Sequence, residues 1–288
     1  MANLKEIRSR ITSVGSTMQI TSAMKMVSAA KLKRAQDAII QMRPYANKLT
    51  ELLKNLSASL EGSEGGVYAQ EREIKKVLLV TITSNRGLCG GFNTYIIKKA
   101  KALIKDDYTN ANVRILSIGK KSSEHFSKNS FNVVGTHDAL FGDLTFDNVA
   151  KIAEGIMEEF VAGEYDKVLL VYNQFKNAAT QIIMAENFLP IQAAENEEGS
   201  STGDYIFEPT KQEIVEQLIP KSLKTQLFKA VLDSHAAEHG ARMTAMHKAT
   251  DNAGELRKEL TLTYNKARQA AITGEILEIV GGAEALNG

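Results

Sequence analysis

One glycine-rich segment of this sequence has residue types that could hold a phosphate. The segment 87–91, Gly-Leu-Cys-Gly-Gly, follows a predicted strand and precedes a predicted helix, where a backbone turn can bind an anion. Dinucleotide-binding turns have the order G-x-G-x-x-G, whereas this segment has G-x-x-G-G. The spacing therefore favours a structural tight turn over a nucleotide site.

A second segment, Gly119-Lys120-Lys121-Ser122, is similar to the end of a Walker A phosphate loop. That loop needs a glycine five residues earlier and a serine or threonine directly after the Gly-Lys pair. Here position 114 is Arg114 and the residue after the pair is Lys121. We therefore predict no phosphate loop at this position.

A third segment, His235-Ala-Ala-Glu238-His239, fits the pattern H-x-x-E-H. Two histidines four residues apart lie on one face of a helix and could ligate zinc. Helices rich in alanine and glutamate produce this short pattern by chance, and no downstream carboxylate stands out as a third ligand. We expect neither a metal site nor a bound cofactor, and no catalytic residues.

Charge and composition limit the classes of partner. The net charge is +1, but residues 1–58 carry ten Lys or Arg against three Asp or Glu. A basic segment suits nucleic acid, anionic lipid or an acidic protein surface. The segment lacks interleaved aromatic residues and any nucleic-acid-binding motif, so we expect no nucleic-acid partner. No run approaches the ~18 apolar residues of a membrane span, and the single Cys89 excludes an internal disulfide.

The middle of the chain alternates between strand and helix patterns. Strands that alternate with helices predict a mostly parallel sheet covered by helices. The predicted strands are 76–83, 113–118, 131–134, 168–172 and 181–184, and the main predicted helices are 92–105 and 146–160.

Both ends of the chain have helical apolar spacing. The N-terminal seam runs through Leu4, Ile7, Ile11, Val14 and Met18, and the pattern then indicates a shifted seam through Ala23, Val27 and Ala30. Pro44 and Pro220 predict kinks or breaks. The C-terminal seam keeps a 3, 4 alternation through Met246, Ala249, Ala253, Leu256, Leu260, Thr263, Ala267, Ala270, Gly274 and Leu277.

Such long helices need each other as packing partners. We therefore predict an antiparallel α-helical coiled coil formed by residues 1–58 and 210–288, with a Rossmann-like α/β domain, residues 74–193, inserted between its helices. Residues 194–209 are predicted to form a connecting loop or foot. The C-terminal helix should extend beyond its partner by about 20 residues, ~30 Å of helix. Its apolar end should need a covering partner, because exposed apolar surface aggregates.

Several longer motifs carry a family resemblance. The chain resembles the gamma subunits of bacterial F-type ATP synthases over essentially its whole length. The matching motifs are residues 7–11 (IRSRI), 20–31 (ITSAMKMVSAAK), 83–93 (TSNRGLCGGFN), 241–246 (ARMTAM), 249–253 (ATDNA), 264–273 (YNKARQAAIT) and 275–283 (EILEIVGGA). Asn85 stands where the family usually has Asp, and Gly274 where a longer polar residue is common, so local turn or contact details could differ.

The resemblance implies a non-catalytic central rotor stalk. Such a subunit couples ion-driven rotation of the membrane c-ring to conformational cycling of the catalytic beta subunits, for ATP synthesis or hydrolysis. The implied partners are alpha and beta subunits in a 3:3:1 complex, the epsilon subunit and the c-ring. The implied location is the cytoplasmic face of the cell membrane, as a peripheral protein. The residue patterns alone leave two alternatives: a coiled-coil-armed nucleotide-binding α/β enzyme, and a coiled-coil tether for nucleic acid.

The resemblance also implies three groups of contact residues. The beta-subunit contacts are Arg268, Gln269, Thr273, Met24 and Lys25. The tip enclosed by the alpha/beta sleeve comprises Ile272, Ile276, Leu277, Ile279 and Val280. The foot near epsilon and the c-ring comprises Tyr205, Glu208, Arg43 and Tyr45.

Overall fold

The computed structural model describes residues 4–57, 67–191 and 211–287; side chains of 47, 50–57, 211–216 and 286–287 are outside the description. The foot residues Tyr205 and Glu208 and the predicted loop 194–209 lie outside the described residues. The chain forms two compact units. We call Met1–Ser28 with Met243–Gly288 the hairpin unit, and Ala29–Arg242 the sheet unit.

The elements follow the predicted order of helix, alternating strands and helices, and helix. A π-helical turn, Leu103–Asp107, follows α2, and a 3-10 turn, Asp138–Gly142, follows β3. The strands and α-helices are α1 Leu4–Ser57, β1 Lys76–Ile82, α2 Phe92–Ala102, β2 Asn112–Ile118, α3 Lys120–Lys128, β3 Val133–Thr136, α4 Phe146–Val161, β4 Lys167–Phe175, β5 Gln181–Leu189 and α5 Lys211–Asn287.

The sheet unit contains a five-stranded sheet in the order β3-β2-β1-β4-β5. β1 pairs in parallel with β2 and β4, β2 pairs in parallel with β3, and β5 is antiparallel to β4. The mostly parallel, Rossmann-like sheet is thus confirmed. Parallel strands joined by helices must be buried on both faces, which explains the unbroken apolar run of β1, buried from Val77 to Ile82.

Alternate residues of β1 pack into two separate cores, because side chains of a strand point alternately to opposite faces. Leu78, Val80 and Ile82 join the core under α4 and the first part of α5. Val77 and Leu79 join the core under α2 and α3. The C-terminal helix is therefore part of the sheet unit's core as well as of the hairpin.

The two internal prolines do not end their helices. Pro44 lies inside α1 and Pro220 inside α5, so the predicted breaks at these residues are not present. A proline removes one backbone hydrogen bond and crowds the preceding turn. In α5 the proline lies between Ile219 and Leu223, which are both buried in the sheet core. Their packing stabilises the helix on both sides of Pro220 and offsets this cost.

The shifted N-terminal seam was predicted wrongly. Ala23, Val27 and Ala30 are exposed, whereas Thr21 and Ser28 are buried. The buried or half-buried positions continue the first seam without a slip: Ile7, Ile11, Val14, Met18, Thr21, Lys25 and Ser28. Small polar side chains occupy the interior, because their hydroxyl groups find partners within the hairpin.

Candidate functional site

The hairpin unit is an antiparallel pair formed by the start of α1 and the end of α5. Thr250 Oγ1 lies 2.8 Å from Thr21 Oγ1, and Lys25 Nζ lies 3.4 Å from His247 Nδ1. From Thr21 to Lys25 the residue numbers rise along α1, while those of their partners fall from 250 to 247 along α5, so the helices run in opposite directions. The Thr250 hydroxyl has a second acceptor in the Met246 carbonyl at 2.8 Å, and the Thr21 hydroxyl donates to the Met18 carbonyl at 3.1 Å, so both hydroxyl groups have partners.

The pairing register leaves the end of α5 without an opposing helix among the described residues. In an antiparallel pair, the residue numbers of two opposing residues have a constant sum, which is 271 for Thr21 with Thr250 and 272 for Lys25 with His247. Leu4, the first residue of α1, therefore lies opposite residue 267 or 268. Helix α5 continues to Asn287. The predicted overhang is therefore present within the hairpin unit.

Among the overhang residues whose side chains are described, five large apolar side chains are exposed. We call them the apolar tip: Ile272, Ile276, Leu277, Ile279 and Val280, with exposed fractions of 49, 54, 66, 71 and 52%. A group of this kind would promote aggregation in water unless another chain covered it. Within the described residues, the apolar tip has the properties of a segment enclosed by a partner.

The three polar residues predicted next to the apolar tip also lie on the overhang. Arg268, Gln269 and Thr273 are exposed. The Thr273 hydroxyl donates to the Gln269 carbonyl at 2.9 Å, so it is already satisfied by its own helix. The guanidinium of Arg268 has no ion-pair partner in the described part of the chain.

The two predicted contact residues of α1 are less accessible than those of α5. Met24 and Lys25 are half-buried, and Lys25 contacts His247, which in turn lies 3.3 Å from Asp251 Oδ2. The sequence reasoning missed the apolar residues beside them: Ile20, Met26 and Val27 are 60, 65 and 58% exposed. The apolar spacing of 4 and 3 residues that begins at Ile7 reaches the polar Thr21. Continuing that spacing past Thr21 would have placed these three residues outside the seam.

The predicted foot residue Arg43 is tied into the sheet unit. Its Nη2 donates to Asp233 Oδ1 and to the Phe175 carbonyl, each at 3.2 Å. Asp233 is fully buried, and burial raises the pKa of its carboxyl while Arg43 opposes the shift. Arg43 thus joins α1, β4 and α5. Tyr45 is 47% exposed, with Lys221 Nζ 5.9 Å from its ring centre.

The glycine-rich turn after β1 is bound by one side chain of the C-terminal helix. Arg242 of α5 donates to the carbonyls of Gly87 and Arg86 and forms a 2.6 Å ion pair with Glu238. The buried guanidinium thus holds the turn through two of its carbonyl oxygens, which gives the turn a structural role and favours the structural interpretation over the nucleotide-binding enzyme.

The second candidate loop also uses its polar groups internally. Ser122, one residue beyond the position of the Walker serine, is buried and bonds Thr83 Oγ1 at 3.0 Å. Lys121 Nζ pairs with Glu124 Oε2 at 2.7 Å. Gly119 has φ of +108°, and a Cβ there would lie 2.1 Å from the Thr83 carbonyl oxygen, so only glycine fits.

The histidine pair of the H-x-x-E-H segment lies inside the sheet unit. The Nε2 atoms of His235 and His239 are 3.1 Å apart, and the His235 ring stacks on Phe141 with ring centres 5.8 Å apart. Burial lowers the pKa of His235 to about 4 and that of His239 to about 3, with nearby Lys31 adding to both shifts. Both rings are therefore neutral at pH 7. Because Glu238 is paired with Arg242, the pair lacks a third ligand, and the described residues contain no cluster of three metal-ligating side chains.

Among the described helices, none is both long enough and apolar enough to cross a bilayer.

The chain is similar to known proteins over its full length. The ATP synthase family model matches residues 3–286. The ATP synthase gamma chain of Flavobacterium johnsoniae is 68% identical over 288 residues, with all of both chains covered. That of Christiangramia forsetii is 62% identical, again with all of both chains covered.

Two solved structures have a similar fold. A chain from the central stalk and c-ring structure of Tetrahymena thermophila mitochondrial ATP synthase has a TM-score of 0.59 and 26% identity, covering 80% of this chain and 99% of that one. A chain of Euglena gracilis mitochondrial ATP synthase in rotational state 3 has a TM-score of 0.68 at 22% identity, covering 98% and 94%. The second likeness concerns the fold alone. The full-length identities above establish that this chain belongs to the family of ATP synthase gamma chains.

Proposed function

We propose that this chain is the central rotor stalk of an F-type ATP synthase. It would couple ion-driven rotation of the membrane c-ring to the conformational cycle of the catalytic beta subunits, and it carries no reaction of its own. The observation that carries the proposal is the uncovered apolar tip on a hairpin overhang, in a chain that belongs to the gamma-chain family. A tip of this kind suits enclosure by a ring of subunits.

The residues divide into three proposed contact regions. Arg268, Gln269 and Thr273 contact loops of the beta subunits, and the apolar tip lies inside a sleeve of three alpha and three beta subunits. Met24 and Lys25 face an acidic segment of the beta subunits; the exposed Ile20, Met26 and Val27 add apolar contact there. Tyr205 and Glu208, with Arg43 and Tyr45, form the foot toward epsilon and the c-ring. The exposure of Arg268, Gln269 and Tyr45 supports their part in these contacts.

The proposed division of labour follows the chain. Residues 1–58 and 210–288 form the shaft, residues 74–193 the central domain, and residues 194–209 the connection at the foot. We place the chain at the cytoplasmic face of the cell membrane as a peripheral part of the complex, which fits the basic excess counted in residues 1–58.

The mechanism is a shift of populations among three chemically identical catalytic sites. The hairpin presents different side chains in different directions: apolar residues Ile20 and Val27 on α1, and Arg268 on α5. Each site contacts one of these faces at a time, and the face that binds one conformation more tightly favours that conformation.

The energies required are on the scale of a few contacts. A hundredfold change in the ratio of two site conformations corresponds to about 2.7 kcal/mol. A single hydrogen bond to a charged group such as the Arg268 guanidinium contributes about 1.5–3 kcal/mol. Rotation by one third of a turn would then exchange the preferences of the three sites.

Reconstitution tests the proposal. The chain is co-purified with alpha and beta subunits of the same complex, and ATPase activity is measured with and without it. We expect a 3:3:1 complex whose activity depends on the chain. A chain that remains apart from alpha and beta, and binds a nucleotide by itself, would refute the proposal.

A double variant tests the contact assignment. We expect Arg268→Ala with Gln269→Ala to slow turnover or weaken assembly, with the chain still folded, because both side chains are exposed on the overhang. Asn265→Ala with Lys266→Ala, also exposed on α5, is the matched control. Equal complex yield and coupled activity in the two double variants would contradict the assignment of Arg268 and Gln269.

A further inference from the structure

An open groove of about 480 Å³ lies in the hairpin unit where α5 passes Met18 of α1. Its α5 lining consists of Gly254, Arg257, Lys258, Thr261 and Leu262. A Cβ built on Gly254 would lie 3.8 Å from Met18 Sδ and would touch nothing else outside its own helix within 4 Å. The absent side chain of Gly254 therefore leaves this space open.

The packing of the hairpin does not require glycine at this position. Gly254 lies in the interior of α5, where glycine is the least favourable residue except proline. An alanine Cβ would make an ordinary van der Waals contact with Met18. Folding of the chain alone would thus favour alanine, so the groove has a cost that the hairpin itself does not explain.

The groove combines an apolar floor with a basic rim. Met18 is half-buried and Leu262 is 63% exposed. Arg257 and Lys258 are exposed and have no ion-pair partner in the described part of the chain. The Thr261 hydroxyl donates to the Arg257 carbonyl at 2.8 Å, so the donors left for a ligand are the two cationic side chains.

We propose that this groove binds a bulky apolar side chain flanked by a carboxylate, presented by a loop of a subunit that surrounds the hairpin. The apolar side chain would cover Met18 and Leu262, and the carboxylate would pair with Arg257 or Lys258. The inference rests on the proposed function, because it requires a protein sleeve around this unit. Leu262 precedes Arg268 by six residues, about 9 Å of helix, so the groove adjoins the proposed beta-subunit contacts.

Photo-crosslinking from the groove identifies its occupant. p-Benzoylphenylalanine replaces Leu262, or in a second variant Arg268, and each chain is assembled with alpha and beta subunits. From position 262 we expect a crosslink to an alpha or beta peptide with Asp or Glu within two residues of a large apolar residue. Two outcomes would overturn the groove proposal without affecting the proposed function. One is a crosslink from position 268 but none from 262, and the other is a crosslink from 262 to a peptide that has no Asp or Glu near the crosslinked residue. A chain that does not assemble at all counts against the proposed function as well.

Substitutions in the groove supply the second test. Gly254→Leu, which fills the groove, and Arg257→Glu with Lys258→Glu, which reverses its rim, should each weaken association with alpha and beta roughly tenfold. Lys266→Glu, on α5 outside the groove, is the charge control. Gly254→Ala should raise the melting temperature of the full-length chain by roughly 2–4 °C.

Two results would remove the proposal. One is an affinity for alpha and beta subunits equal to that of wild type in the variant Arg257→Glu with Lys258→Glu. The other is stoichiometric binding of laurate by the full-length chain that Gly254→Leu abolishes, because this would assign the groove to a small amphiphile.

Discussion

Replacing Arg43 by methionine tests the internal tie that this proposed foot residue makes. Resemblance to the gamma-subunit family placed Arg43 at the surface toward epsilon and the c-ring. In the structure its guanidinium bonds Asp233 Oδ1 and the Phe175 carbonyl, and Asp233 Oδ2 has no hydrogen-bond partner among the described residues. Because these contacts stabilise the fold, Arg43→Met should lower the free energy of unfolding of the isolated chain, in the absence of any other subunit.

The expected loss of unfolding free energy follows from burial. Breaking a buried ion pair costs about 3–5 kcal/mol, but the Arg43 side chain is 43% exposed, so solvent screening reduces this to about 2 kcal/mol. The lost hydrogen bond to the Phe175 carbonyl adds about 1 kcal/mol. The total of about 3 kcal/mol corresponds to a melting temperature lower by roughly 6–12 °C.

The pH dependence of this loss has a definite sign. Burial already raises the pKa of the Asp233 carboxyl, and removal of Arg43 raises that pKa further. A native carboxyl with a raised pKa binds more protons than the unfolded chain, so it lowers stability as pH rises through that range. The difference between Arg43→Met and wild type should therefore be larger at pH 7.5 than at pH 5.5.

Urea unfolding of full-length chains at the two pH values measures the effect. Arg34→Met is the matched control, because Arg34 is exposed on α1, and it should change stability by less than about 0.5 kcal/mol. Adding Asp233→Asn to Arg43→Met should recover part of the loss by removing the buried charge. An Arg43→Met chain as stable as Arg34→Met, but defective in binding epsilon or the c-ring, would refute the internal-tie reasoning.

Two further predictions concern the sheet unit. Lowering the pH from 7.5 to 5.5 should destabilise the chain by roughly 1 kcal/mol for each of His235 and His239. The reason is that their folded pKa values of about 4 and 3 lie below the unfolded value, so the unfolded chain binds more protons. Urea unfolding of His235→Gln at both pH values checks this, and a pH dependence of stability equal to that of wild type would contradict it. Gly119→Ala should cost several kcal/mol, ~3 or more, since its Cβ would overlap the Thr83 carbonyl at a positive φ; a melting temperature within about 2 °C of wild type would show that the turn can relax.

The central sheet was predictable where strands are apolar on both faces. β1 was predicted at 76–83 and runs from Lys76 to Ile82. β3 was predicted at 131–134 but lies at Val133–Thr136, because its position depends on pairing with β2, where Leu116 faces Gly135. Pairing of this kind is a contact between distant residues, which local hydropathy does not encode.

The second half of β5 was missed because Glu186 and Asn187 interrupt its apolar pattern. The prediction ended at residue 184, whereas the strand continues to Leu189 through antiparallel pairing with β4. Glu186 in this part accepts the Tyr172 hydroxyl at 2.6 Å and a Gln226 amide N–H at 2.8 Å. A half-buried carboxylate is stable at this position because partners from β4 and α5 satisfy it.

The exposure of the proposed contact residues was only partly predictable. The exposed overhang and its apolar tip followed from the difference in length between the two end helices. Arg43 could not be distinguished from a surface residue, since its partner Asp233 lies 190 positions away in the sequence. The groove beside Gly254 was equally hidden, because a glycine in a helical pattern does not reveal which residue of the other helix it faces.

The polar seam of the hairpin also has a physical consequence for register. Apolar seams pack by volume and tolerate a slip of one turn, whereas a slip of a polar seam removes the side-chain contacts between its helices. Thr21 is opposite Thr250, and a one-turn slip of α5 would place Met246 or Gly254 there instead, neither of which has a side-chain hydroxyl. Each hydroxyl also has a carbonyl acceptor in its own helix, at 3.1 Å for Thr21 and 2.8 Å for Thr250, so the register gains the contact between the two oxygens, about 1 kcal/mol. This contact favours the register that sets the length of the overhang, and with it the position of the apolar tip relative to α1.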